Sequence, residues 1–94
     1  MNSSSIGIAH DAAASRFTLS VDGQQAVLEY RREGDVMVII HTGVPPAIGG
    51  RGIAAQLLKG ALDHARAQGW KVRPACDYAS AYLRKHHEYS DLLA

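Results

Sequence analysis

A glycine-rich segment is the part of this chain whose residue types most directly predict ligand binding. Residues 49–54 read Gly-Gly-Arg-Gly-Ile-Ala and stand between an apolar run and a pattern typical of an amphipathic helix. Glycine lets the backbone approach a ligand closely, and the N–H groups at a helix N-terminus favour an anion. The segment lacks the Gly-Lys-Ser/Thr ending of a P-loop and the Gly-x-Gly-x-x-Gly spacing of a dinucleotide site. Either these residues only start a helix, or their backbone amides hold a pyrophosphate, such as that of coenzyme A, with Arg51 adding charge.

Two side chains have the chemistry of a nucleophile or a base. Cys76 lies between a predicted strand and a predicted helix, and a helix N-terminus favours the reactive thiolate form. His41 ends a predicted strand, and imidazole can accept a proton near neutral pH. The alternatives are a small buried apolar cysteine and a packed, hydrogen-bonded histidine. A cysteine hydrolase using this pair would also need an oxyanion hole and an orienting third residue, and the sequence identifies neither.

The histidines of the segment His86-His87-Glu88 resemble metal ligands by residue type only. Adjacent helical residues point to different faces, and no set of ligands with suitable spacing completes a site. We therefore expect no metal there and interpret the segment as a solvated helix end.

The elements that position these residues follow from hydrophobic periodicity. Alternation and turn signals predict an antiparallel meander, with strands at 15–21, 26–30 and 36–42. The third is apolar for five residues, which predicts a central strand covered on both faces. A helix over about 50–68, ending at Gly69, should lead by a right-handed crossover to a parallel strand over 71–76. Pro74 fits that strand if it diverges from the third near its end.

Asp77 is expected to cap a second helix running to about His86, and residues 89–93 form a short piece of undetermined type. The predicted fold class is therefore mixed α+β: an antiparallel meander, a β-α-β crossover and a C-terminal helix.

Composition limits the classes of function. A chain of 94 residues with 47% hydrophobic residues is expected to form a single domain over 1–94. Its net charge of +1 gives no reason to expect nucleic acid or an acidic partner. No apolar run reaches membrane-spanning length, and the N-terminus lacks the pattern of a signal peptide. The lone Cys76 favours a reducing compartment such as the cytoplasm.

The order of these motifs resembles the Gcn5-related N-acetyltransferase superfamily, and in particular its minimal, single-domain members. The family's pyrophosphate loop reads Gln/Arg-x-x-Gly-x-Gly/Ala, and here the window 47–52 is Ala-Ile-Gly-Gly-Arg-Gly. Both closing glycines match, whereas Ala47 departs from the usual Gln/Arg and loses that side-chain contact. The resemblance extends over nearly the whole chain, through the residues 41–45, 50–54, 74–78, Tyr82 and 88–93.

The resemblance implies a reduced acyl-CoA N-acyltransferase fold, in which the last two strands splay apart and admit the pantetheine arm. It implies that coenzyme A is contacted by Val44 and by the loop residues Gly49, Gly50, Arg51, Gly52, Ile53 and Ala54. Thr42 and Tyr82 are further contact candidates. Cys76 would lie near the thioester sulfur, where it either accepts the acetyl group or protonates the departing thiolate. His41 would take the proton of the amine.

The implied function is an acetyl-CoA-dependent N-acetyltransferase acting on an unidentified amine, as a monomer or a weak homo-oligomer. The alternatives are a non-catalytic coenzyme A-binding or protein-interaction module, and the cysteine hydrolase.

Overall fold

A five-stranded sheet, with its strands in chain order, forms the frame of the protein. The computed structural model describes residues 7–94. The first four strands pair antiparallel and the fifth joins the fourth in parallel, which confirms the predicted meander and crossover. The strands are β1 (Ile8–Asp11), β2 (Arg16–Val21), β3 (Gln24–Glu33), β4 (Val36–Gly43) and β5 (Lys71–Pro74). The helices are α1 (Ile53–Gln68) and α2 (Asp77–Lys85), with 3-10 turns at Pro46–Ile48 and His87–Leu92.

Strand β1 is the element that the sequence pattern did not predict. It is an edge strand of four residues. Only Ile8 among them is partly buried, and its side chain packs against the core. An edge strand this short carries too little alternation to be recognised.

In the described part of the chain, the structure contains no helix that is long and apolar enough to cross a membrane.

The ends of the helices differ slightly from the predicted ones. Helix α1 starts at Ile53 rather than near residue 50, because Gly52 is its N-cap and adopts a left-handed φ of 71°. It ends at Gly69, as predicted, with a φ of 76°. The cap of α2 is Cys76 and not Asp77, since Asp77 is already the first helical residue.

The hydrophobic core lies between one face of the sheet and both helices. Buried residues of this face and of α1, α2 and the last 3-10 turn form one cluster, which includes Leu28, Met37, Ile39, Leu57, Leu58, Leu62, Val72 and Leu83. On the opposite face, Val38 is buried beside its cross-strand neighbours Arg31 and Arg73. The prediction that this strand is covered on both faces holds at Val38 but is wrong at Ile40, which is 43% exposed.

A β-bulge changes which side chains of β4 face the core. Tyr30 of β3 lies opposite Ile39, and Glu29 lies opposite His41, so Ile40 is an extra residue without a partner. Paired residues share a face of the sheet, which puts His41 on the outer face. Thr42 pairs with the fully buried Leu28 and therefore lies on the core face.

Candidate functional site

The site is a gap between β4 and β5 at their carboxyl ends. The two strands pair from Val36 and Lys71 as far as Ile39 and Pro74, and one more bond runs from the Ala75 N–H to the Ile39 carbonyl at 2.8 Å. Strand β5 then ends, whereas β4 continues to Gly43. The two strands therefore pair over the whole length of β5, and the divergence predicted near Pro74 can begin only after Ala75. Beyond Ile39, no strand among residues 7–94 pairs with this edge of β4, so an extended ligand could pair with it.

The glycine loop follows β4 and leads into α1. Gly50 and Gly52 have φ values of 76° and 71°, and a Cβ on either would meet no atom within 4 Å. These glycines are therefore required by their backbone conformation and not by crowding. The N–H groups of residues 50–55 have no hydrogen-bond acceptor among residues 7–94, and the helix has neither a side-chain cap nor an acidic residue in its first turn. Backbone donors left without partners at a helix N-terminus are suited to binding an anion.

Arg51, which was expected to add charge to this loop, contacts the turn between β2 and β3. Its Nη1 atom donates to Asp22 Oδ2 at 2.6 Å, and both side chains are largely exposed. Ile48 and Ile53 are buried on either side of the glycines and hold the loop against the core. Val44, directly after β4, is partly buried and packs on the same cluster.

Cys76 lies across the gap from Thr42. The Thr42 Oγ1 and Cys76 Sγ atoms are 3.8 Å apart, and the sulfur accepts the Ala79 N–H at 3.5 Å as the cap of α2. The thiol is partly exposed. It is thus placed at the gap, and its polar contacts among residues 7–94 include no histidine.

His41 lies on the other face of the sheet from Cys76 and Thr42. Its imidazole extends over Gly43, where a Cβ would come within 2.9 Å of His41 Nε2. The bulge produces this separation, because regular alternation would have put His41 on the core face. The structure therefore brings Thr42 and Cys76 together. It does not bring Cys76 and His41 into the contact that a cysteine hydrolase requires.

Tyr82 lies on α2 and packs partly buried against the core. Its ring stacks on His86 at a centroid distance of 3.9 Å, and burial raises the pKa of its phenol. His86 Nδ1 lies 3.4 Å from Glu88 Oε2, whereas His87 contacts the Arg84 carbonyl, so the two rings turn to different partners. Within residues 7–94, no group of three or more His, Cys, Asp or Glu side chains is arranged to hold a metal.

Two features of the site could not be predicted from the sequence. The bulge at Ile40 has no local signal, since it depends on the register between β3 and β4. The pairing of Arg51 with Asp22 joins residues that are 29 positions apart. Asp22-Gly23 has the sequence of a tight turn, but such a signal does not say which side chain the turn contacts.

Comparison with known proteins identifies the family of the chain. A family model described as GCN5-related N-acetyl-transferase matches residues 16–92. Protein NATD1 of Xenopus tropicalis is 37% identical over 87 residues, which cover 89% of this chain and 80% of that protein. Human protein NATD1 is 37% identical over 84 residues, covering 86% of this chain and 74% of that protein.

A solution structure of a GCN5-like chain from Staphylococcus aureus superposes with a TM-score of 0.74 at 30% identity. The match covers 93% of this chain and 86% of that one. Both the fold and the resemblance inferred from the motifs are confirmed. The chain belongs to the GCN5-related N-acetyltransferase family.

Proposed function

We propose that this protein transfers the acetyl group of acetyl-CoA to an amine. The observation that carries the proposal is the row of unpaired N–H groups at residues 50–55, which opens beside the gap between β4 and β5. In coenzyme A, the pyrophosphate that these amides would bind is joined to the flexible pantetheine arm, which carries amide groups of its own. The free edge of β4 offers that arm a strand-like partner, and the arm then ends near Thr42 and Cys76.

The geometry supports a direct transfer from acetyl-CoA to the amine, with His41 on one face of the sheet and Cys76 on the other. The amine nitrogen attacks the thioester carbonyl, a C–N bond forms, and the C–S bond breaks. In this proposal His41, on the outer face, accepts the proton that the amine loses. Cys76, on the core face, protonates the departing thiolate of coenzyme A. The alternative to direct transfer is a covalent route, in which the Cys76 sulfur first takes the acetyl group.

Binding and turnover are tested separately. Acetyl-CoA is titrated into the protein by calorimetry, and release of coenzyme A is then followed with a panel of primary amines, including small amines and peptide N-termini. We expect saturable binding and amine-dependent release above the uncatalysed rate. Binding without turnover for any amine would instead favour a non-catalytic coenzyme A-binding module, and absence of binding would refute the proposal.

The roles of the two side chains are tested with matched variants. We expect Cys76→Ser and His41→Gln each to lower the rate of acetyl transfer while leaving the affinity for acetyl-CoA nearly unchanged. Mass spectrometry of the wild type after a single exposure to acetyl-CoA distinguishes the two roles of the cysteine. An acetyl adduct on Cys76 that an amine then discharges supports the covalent route, and its absence supports direct transfer. Unchanged rates in both variants would contradict both assignments.

A further inference from the structure

A second cavity lies at the opposite end of the sheet from the glycine loop. It has a volume of about 370 Å³ and is lined by His10, Tyr30, Arg32, His64, Gln68 and Trp70, among other residues. His64 and Gln68 belong to the last turns of α1, whereas the glycine loop precedes its first turn. A helix of this length spans roughly 24 Å, so the two sites are separate.

Aromatic contacts give this cavity a defined shape. His10 stacks on Phe17 at 4.1 Å, and the His64 ring meets His10 edge to face at 4.5 Å. His64 also meets Trp70 edge to face at 5.3 Å, and the Arg32 guanidinium lies 4.1 Å above the Trp70 ring. Three of these rings, those of His10, His64 and Trp70, line the cavity together with Tyr30. Aromatic side chains of this kind pack well against a ring-sized ligand.

The polar groups of the cavity include several hydrogen-bond donors. Tyr30 Oη and His10 Nε2 satisfy each other at 2.6 Å. The imidazole of His64, the amide of Gln68 and the indole N–H of Trp70 have no hydrogen-bond partner among residues 7–94. Arg32 contributes a permanent positive charge, although it also donates to the Gly34 carbonyl at 2.8 Å and lies 3.9 Å from an exposed carboxylate oxygen of Asp35. No lining residue is a carboxylate. Several donors beside a cation fit a ligand that brings acceptor oxygens and negative charge.

We propose that this cavity binds a small ring-bearing organic anion, with a carboxylate or phosphate group as the element that is recognised. The anionic group contacts Arg32 and the imidazoles, and the ring lies among Tyr30, His64 and Trp70. This site is distinct from the proposed acetyl-CoA site and does not depend on it.

Binding of an anion should be linked to protons. The charged or titratable groups that face His10 are Asp11 on its own strand, Tyr30 and Arg32 on β3, and His64 on α1. Without ligand, burial and the nearby His64 lower the pKa of His10. An anion beside His10 favours its protonated form, so affinity should be higher at pH 6 than at pH 8.

The test uses the whole chain and its single tryptophan, Trp70, as the reporter. Benzoate, phenyl phosphate and neutral benzamide are titrated separately while the indole N–H resonance is followed by NMR. We expect a saturable shift with at least one of the anions, with a Kd on the order of 1 mM, and at least about tenfold weaker binding of benzamide. The stronger of the two anions identifies the group that is recognised.

Neighbouring arginines on one strand supply the matched variants. Arg32→Gln should weaken binding about tenfold, whereas Arg31→Gln, on the outer face of β3, should leave it unchanged. Saturating acetyl-CoA should not displace the anion. The proposal is overturned if neither anion gives a saturable shift, if benzamide binds equally well, or if both arginine variants have the same effect. Displacement by acetyl-CoA would show that the anion occupies the loop site instead.

Discussion

Replacement of Gly50 provides a sharp test of the anion-binding loop, because two side chains of equal size differ there by one charge. The residue has a φ of 76°, and a Cβ would meet no atom within 4 Å. Asparagine and aspartate tolerate this left-handed conformation better than other non-glycine residues. We therefore expect Gly50→Asn and Gly50→Asp to lose similar stability, about 1 kcal/mol or less.

The two variants should differ strongly in acetyl-CoA binding. For a carboxylate about 5 Å from one unit of phosphate charge, Coulomb's law gives about 1 kcal/mol in water and about 3 kcal/mol at an effective dielectric constant of about 20. The expected loss of affinity in Gly50→Asp relative to Gly50→Asn is thus roughly fourfold to a few hundredfold. Screening at about 1 M salt, where the Debye length falls to about 3 Å, should remove much of this difference.

Calorimetric titration of both variants at low and high salt measures the effect, and urea unfolding checks their stability. Equal affinities for acetyl-CoA at low salt would refute the argument, since the added charge would then be remote from the phosphates. A difference that high salt does not reduce would indicate a steric or conformational effect.

Three further changes have defined outcomes. Asp22→Asn frees Arg51 from its 2.6 Å ion pair, so calorimetry should show acetyl-CoA affinity raised by up to about fivefold; weaker binding would contradict this. Cys76→Ala removes the cap of α2 and should cost about 0.5–1 kcal/mol in urea unfolding, whereas Cys76→Ser should retain most of it; equal losses would refute the capping role. Burial, and then His64, lower the pKa of His10 from 6.5, so the unfolded chain binds a proton that the folded chain excludes. Stability should therefore fall as the pH drops below about 6.5, and less steeply in His10→Gln; equal slopes in thermal unfolding would contradict this.

Local signals in the sequence predicted most of the fold. The turn at Asp22-Gly23 and the stop at Gly69 depend on backbone conformations that few residue types adopt, so neighbouring residues suffice to locate them. A divergence near Pro74 was predictable for the same reason, since proline cannot donate to a strand neighbour. The glycine loop was likewise located from its own residues.

Features that depend on pairing over long separations were not predictable. The faces of His41 and Thr42 depend on the register between β3 and β4, which the alternation of a single strand does not contain. The second cavity joins His10, Tyr30, His64 and Trp70, which are scattered over the chain and share no motif. Each of them alone has the pattern of an ordinary core or surface residue.

The bulge at Ile40 also affects the shape of β4 beside the gap. A bulged strand bends, and this one bends directly after Ile39, the last residue of β4 that pairs with β5. Removing Ile40 would restore a regular two-residue period in which Ile39 and Thr42 still share the core face. Deletion of the single Ile40 codon is therefore expected to straighten this part of β4 while leaving its core-facing side chains unchanged.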